Sequence, residues 1–323
     1  MDLPNISTKS NVAHDVFPYL IEYKDGTIER LAGTNQAPPG FDPTTRVTSK
    51  DVILVSDTGL SARLYHPMTT TITNEKLPLV LYFHGGAFLI ASPAEPLYHN
   101  FCNNLARSTK ALVISLDYRL APEYPLPIAF NDAWEAIQWM ASHVTEDGPE
   151  DWLNQKVDYN KVFLLGDSAG ATMAHHLASR VSRFSSQVKI HGIGLIHPYF
   201  WGSNPIGLER ADPVRKELVD KWWLYVCPSN KGCDDPIINP FVDKVPSLDQ
   251  FVCERMLVLV AEKDILRERG RLYYNAMLKH KKVEYFESLG EDHVFHIFNP
   301  HSEKAKVLMS KLASFINNQE VII

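Results

Sequence analysis

The hydrophobic positions change rhythm once along the chain. Before Lys76-Leu77-Pro78 they alternate with polar ones, from Leu20 to Leu31 around Asp25-Gly26 and from Val52 to Leu64 around Asp57-Thr58-Gly59. Period-two alternation about such turn residues predicts antiparallel hairpins. Beyond that point come short, almost wholly apolar runs: Leu79 to Phe83, Leu112 to Leu116, Val162 to Leu165, Ile193 to Ile196 and Leu257 to Val260. Runs without a polar face suit strands buried on both sides of a parallel sheet. Between them, Tyr98 to Ser108, Ala129 to Met140 and Ala171 to Val181 carry helical spacing, as crossover connections require. The expected fold class is α/β, a mostly parallel doubly wound sheet with antiparallel N-terminal strands.

The last element is predicted over Ser302 to Asn317, where Ala305, Leu308, Leu312 and Phe315 form one apolar stripe and Asn299-Pro300 reads as a start signal. From Tyr199 to about Phe251 the alternation fails in a stretch rich in Trp and Pro, too long for a plain connection. Residues 1–323 are therefore expected to form a single domain, with a cap contributed by about 1–45 and about 199–251. No repeat or low-complexity tract interrupts it.

Composition removes several classes of function. Lys and Arg number 32 against 38 Asp and Glu, a net charge of −6, and no basic run offers a footprint for a phosphate backbone. No stretch of about eighteen apolar residues argues for a membrane span, and Met1-Asp2-Leu3-Pro4 lacks the flanks of a secretory signal. The four cysteines, Cys102, Cys227, Cys233 and Cys253, have neither the density of a disulfide framework nor metal-ligand spacing. A cytosolic protein with free thiols is expected.

The most informative residues are Gly166-Asp167-Ser168-Ala169-Gly170. The apolar run before them and the helical pattern after them set the motif in the strand-turn-helix context of a nucleophile elbow, where a sharp turn leaves the serine hydroxyl exposed above the sheet. A serine is a weak nucleophile until a base takes its proton, so an acid and then a histidine should follow in chain order. Asp264, just outside the apolar run ending at Val260, is the candidate acid, with Glu262 and Glu268 as rivals. After a strand expected over Val283 to Phe286, the loop Ser288 to His293 brings His293 as candidate base, with His296 as rival. His84-Gly85-Gly86-Ala87 follows another buried strand. The amides of Gly85, Gly86 and Ala87, with that of Ala169, are candidates for holding a developing oxyanion, while His84 reads as an anchor of its loop. Candidates for a substrate pocket are Phe88, Leu89, Tyr199, Trp222, Trp223 and Val294. His175-His176 lacks the spacing of a zinc motif, and no Rossmann or Walker fingerprint occurs, so neither metal nor cofactor is expected.

Together, His84 to Ala87, Asp117-Tyr118-Arg119-Leu120-Ala121-Pro122-Glu123 and Gly166 to Gly170 resemble the hormone-sensitive-lipase-like branch of the α/β-hydrolases. Tyr199-Phe200-Trp201-Gly202-Ser203 and Trp152-Leu153 are similar to the plant carboxylesterase group, which includes 2-hydroxyisoflavanone dehydratases and, more distantly, gibberellin receptors. The likeness runs from about Phe17 to Ile316, with Ala87 standing where the family usually has a third glycine. It implies an α/β-hydrolase acting on small-molecule esters, plant metabolites among them, as a monomer or homodimer, with Arg119 and Glu123 bracing loops beneath the site. A dehydratase or cyclase using the same residues, and a receptor that only binds, stay open; the presence of His293 weighs against the receptor.

Overall fold

The buried runs become the middle of a nine-stranded sheet in a computed structural model that describes residues 11–68, 75–183, 188–242 and 253–318. In chain order its strands are β4 (Phe41–Asp42), β5 (Val47–Val55), β6 (Leu60–Pro67), β7 (Leu77–Phe83), β8 (Leu112–Asp117), β9 (Val157–Asp167), β10 (Ile190–Ile196), β11 (Arg255–Ala261) and β12 (Lys282–Ser288). Across the sheet the order is β12-β11-β10-β9-β7-β8-β6-β5-β4. Strands β12 to β8 are parallel, and β6, β5 and β4 continue the sheet by antiparallel pairing. Three earlier strands, β1 (Val12–Val16), β2 (Leu20–Tyr23) and β3 (Ile28–Arg30), make a separate antiparallel sheet. The expected N-terminal cap boundary near 45 therefore falls late, because Phe41 and Asp42 already pair with β5 in the main sheet.

Each central strand feeds two cores by alternation. Leu79, Leu81 and Phe83 of β7 point to one core and Val80 and Tyr82 to the other; in β11, Met256, Val258 and Val260 oppose Leu257, Leu259 and Ala261. This two-sided burial is why the runs carry no polar face. One core is closed by α2 (Ile128–Ala141), α4 (Ala169–Arg183) and α7 (Arg267–Met277), the other by α1 (Pro96–Thr109) and α9 (Glu303–Asn317). Helix α1 starts on Pro96, with the Glu95 carboxylate accepting the Leu97 amide. The α9 stripe is buried as its spacing requires. Burying each of its Leu and Phe side chains contributes about 1.5–3 kcal/mol. Its start differs from the sequence signal: Ser302 is the cap, accepting the Ala305 amide at 3.1 Å, whereas Asn299 ends the short helix α8 (Phe295–Phe298).

The remaining helices are α3 (Asp151–Lys156), α5 (Gly207–Ala211) and α6 (Pro213–Val226). Helix α6 belongs to the expected cap and is tied to the first sheet, Trp222 donating through Nε1 to the Phe17 carbonyl at 2.9 Å and Tyr225 through Oη to Glu22 at 2.7 Å. The expected cap segments 1–10 and 243–251 lie outside the described residues. No described helix is long and apolar enough to cross a membrane.

Candidate active site

Ser168 sits between the end of β9 and the start of α4 with φ at 52°, a left-handed conformation that costs a non-glycine residue energy and needs support around it. Its amide donates to Ile196 O at 2.9 Å, and its carbonyl accepts the amides of Ala171 and Tyr199, both at 3.1 Å. The flanking glycines are required by close approach. A Cβ on Gly170 would lie 2.0 Å from the Phe83 carbonyl oxygen, and one on Gly166 would lie 2.3 Å from the Gly170 backbone.

The next two candidates meet this serine. His293 Nε2 is 2.8 Å from Ser168 Oγ, and His293 Nδ1 is 2.7 Å from Asp264 Oδ2. Asp264 is buried at the end of the β11 loop, and its other oxygen accepts the Leu266 amide at 2.9 Å. Burial works against its charge, but the facing His293 outweighs it and holds the Asp264 carboxyl below the usual range. Burial likewise disfavours the His293 imidazolium, yet the Asp264 carboxylate prevails and raises the imidazole above its ordinary value. An ionised Asp264 can only accept a hydrogen bond, so the proton of the neutral His293 ring lies on Nδ1 and donates to it, which leaves Nε2 as the acceptor facing the serine.

The rivals are engaged elsewhere. Glu262 accepts the Gly290 amide, and Glu268 pairs with Arg267. His296 is buried with neither ring nitrogen partnered among the described residues, and burial pushes it down to about 3. His84 stacks on Tyr118 at 4.3 Å, Tyr118 Oη donates to the His84 carbonyl at 2.8 Å, and burial lowers the imidazole to about 4, in keeping with an anchor.

The donor loop needs one correction. The Gly85 amide is spent on Tyr98 Oη and Asp167 Oδ1, each at 3.0 Å, so it faces away from any oxyanion. The amides of Gly86 and Ala87 have no acceptor among the described residues, and Ala169 opens α4, where amides lack helical acceptors. Gly86 has φ at 105° and a Cβ there would strike Ile90 O at 2.4 Å, while Ala87 holds φ at 54° despite its methyl group. Asp167 accepts from Tyr82, Tyr98 and Gly85 beneath this loop; burial lifts it to about 6 against the pull of those donors.

A cavity of about 210 Å³ opens onto Ser168 and His293, lined by Tyr19, Ala87, Tyr199, Arg215, Val219, Trp222, Ile265 and Leu266. Of the expected pocket residues, Tyr199 and Trp222 line it; Phe88, Leu89, Trp223 and Val294 do not. Trp223 follows Trp222 on α6, so it points about 100° away. It is fully buried, with Nε1 donating to Gly232 O at 2.9 Å. Phe88 packs against Tyr118 and Phe130, Leu89 lies in the same core, and Val294 faces the opposite core. Tyr19 and Arg215 escaped sequence reading, since neither sits in a motif. Arg119 pairs with Asp132 of α2 and Glu123 with Arg30 of β3, so both side chains tie the 117–123 segment to regular elements. All four cysteines are free and buried.

One described group could in composition hold a metal ion: ligand atoms of His197, Asp264 and His293 lie within 4.8 Å of one another. Both ring nitrogens of His293 are already hydrogen-bonded, and Nδ1 of His197 accepts the Val294 amide. His197 Nε2 has no partner among the described residues, and the direct hydrogen bond within the set is the one between His293 and Asp264.

Residues 80–297 match the family described as alpha/beta hydrolase fold. The chain is 50% identical to probable carboxylesterase 2 of Arabidopsis thaliana, over 97% of this chain and 99% of that protein. It is 40% identical to tuliposide A-converting enzyme 1, chloroplastic, of Tulipa gesneriana, over 94% of this chain and 78% of that one. Among solved structures it is similar to a hyperthermophilic esterase of the archaeon Pyrobaculum calidifontis, with a TM-score of 0.70, 28% identity, and coverage of 84% of this chain and 85% of that one.

Proposed function

The chain belongs to the plant carboxylesterase family of α/β-hydrolases, and from that membership we propose that it hydrolyses small-molecule esters through an acyl-enzyme on Ser168. Ser168 Oγ attacks the ester carbonyl while His293 Nε2 takes its proton; the same imidazolium then protonates the departing alcohol. Asp264 fixes the tautomer and stabilises the imidazolium. Oxygen charge is held by the amides of Gly86, Ala87 and Ala169, donors of a kind each worth about 3–4 kcal/mol in the transition state. Water, activated by His293, then attacks the acyl-serine and releases the acid.

The observation that carries this reading is the unbroken chain from Asp264 Oδ2 through His293 to Ser168 Oγ, at 2.7 and 2.8 Å, opening onto a cavity. The cavity volume, about 210 Å³, suits a small ester, and plant metabolites enter as its substrate class from the plant relatives. Four unpaired thiols suit a reducing compartment, and we place the protein in the cytosol.

Hydrolysis in ¹⁸O-enriched water tests the proposal across a panel of plant esters. Acyl-oxygen cleavage puts one heavy oxygen into the released acid, and quenched enzyme carries the acyl group on Ser168. A product lighter than its substrate by one water, with no acid and no adduct, would establish elimination in its place.

A further inference from the structure

Arg215 lies in the first turn of α6, its amide capped by Asp212 Oδ1 at 2.9 Å, and its guanidinium reaches out of the cap to the two loops that carry the acid and the base of the proposed triad. Nη2 donates to Asp292 Oδ1 at 2.8 Å and Nη1 to Asp292 Oδ2 at 3.3 Å, a two-point contact with the residue immediately before His293. Nη1 also approaches the carbonyl of Lys263, the residue immediately before Asp264, at 3.4 Å. The two loops are themselves joined, Lys263 N donating to Glu291 O at 2.8 Å, and Asp292 Oδ1 accepts the His293 amide at 2.7 Å. The other ion pairs of α6, Lys216 with Asp220 and Lys221 with Glu217, stay within the helix.

We propose that Arg215 is a positioning residue through which the cap helix α6 sets the placement of His293 and Asp264, so that the cap governs the base as well as the cavity wall. The proposal rests on the hydrolase reading of Ser168. With side chains 33% and 51% exposed, the Arg215–Asp292 pair adds little to stability. Its two-point geometry does fix orientation, which a single ammonium contact would not. Arg215 also borders the cavity with Ser168 and His293. The charged or titratable groups facing His293 are Asp264 from the β11 loop, Asp167 from β9, His197 from the β10 turn, His296 from α8, Asp292 from its own loop and Arg215. Arg215 is the one permanent cation among these, and it opposes protonation of His293.

The test compares Arg215→Met, Arg215→Lys and Asp292→Asn with the wild type by NMR titration of the His293 imidazole and by the pH dependence of kcat/KM. Arg215→Met should move both the titration and the acidic limb up by about 0.5 pH unit, because Asp292 is left unpaired beside the imidazole. It should lower kcat about 10-fold with less than about a 3-fold change in KM. Arg215→Lys should restore the titration but not the full kcat. Asp292→Asn should move the titration in the opposite direction, to lower pH. A wild-type titration and limb in folded Arg215→Met, with loss only of thermal stability, would reduce Arg215 to an ordinary surface pair and overturn the proposal. The titration needs no turnover, so a protein that hydrolyses no ester would defeat the hydrolase reading while the role of Arg215 is still decided.

Discussion

The imidazole of His197 accepts the Val294 amide through Nδ1 at 2.8 Å, and both residues hold left-handed backbone, with φ at 47° and 44°. Val294 follows His293, while the same turn after β10 sends the Tyr199 amide to the Ser168 carbonyl. The proposed base and nucleophile thus hang from one strand end. Burial first, then the neighbouring His296, holds His197 well below the ordinary histidine range, so it is neutral and an acceptor at Nδ1. His197→Leu should leave a buried amide unpaired and cost about 1–3 kcal/mol in thermal unfolding, with a clear fall in kcat. His197→Asn, which keeps an acceptor and tolerates left-handed backbone, should recover much of both.

Ser168→Ala and His293→Ala should each lower ester turnover by at least about 10³, and the double variant should lose little more, since the residues act as one unit. Burst-corrected kinetics with an activated ester would check this. Near wild-type turnover in His293→Ala would leave the hydroxyl without a base, because His296 is buried away from Ser168 beside Phe101 and His197.

Catalysis needs His293 neutral, and its imidazole is raised above 6.5 by Asp264 against the effect of burial. The rate constant kcat/KM should therefore rise through a single ionisation above that value, and a profile flat over about pH 5 to 8 would contradict the assignment. Stability has the opposite sign. A group raised in the folded state adds stability that is full below its unfolded value and lost as pH climbs through its folded one. Relative to His293→Asn, the wild type should lose thermal stability across the interval in which it gains activity.

The adjacent tryptophans should separate cleanly. Trp223→Ala removes a fully buried ring and should cost about 3–5 kcal/mol, lowering all rates together as folded protein is lost. Trp222 faces the cavity and meets Tyr19 edge-on at 4.9 Å. Trp222→Ala should change the ranking within a series of acyl and alcohol chain lengths. Equal losses along the series would place Trp222 with the core.

The sheet was legible because burial on both faces leaves an unbroken apolar run, as in Leu79 to Phe83, and α9 because its stripe faces one layer. The chemistry was legible where sequence neighbours create it: Gly166 to Gly170 specify the turn, and chain order with strand ends pointed to Asp264 and His293. Contacts between distant segments were not. Nothing local to Gly85 discloses that Tyr98 and Asp167 consume its amide, and nothing near Tyr19 or Arg215 places them on a cavity wall with Ser168. The aromatic richness of the cap suggested a pocket, but the side of α6 on which each tryptophan falls is set by packing, and Trp223 went to the core.

All three residues of the proposed triad leave carboxyl ends of parallel strands, Ser168 after β9, Asp264 after β11 and His293 after β12. Half of the cavity wall is drawn from elsewhere, with Tyr19 in the first segment and Arg215, Val219 and Trp222 on α6. Inheritance can act on these two sets separately. On the proposed mechanism, changes at positions 19, 219 or 222 should redraw the range of esters accepted while the reaction itself is kept, whereas a change at 215 should alter both.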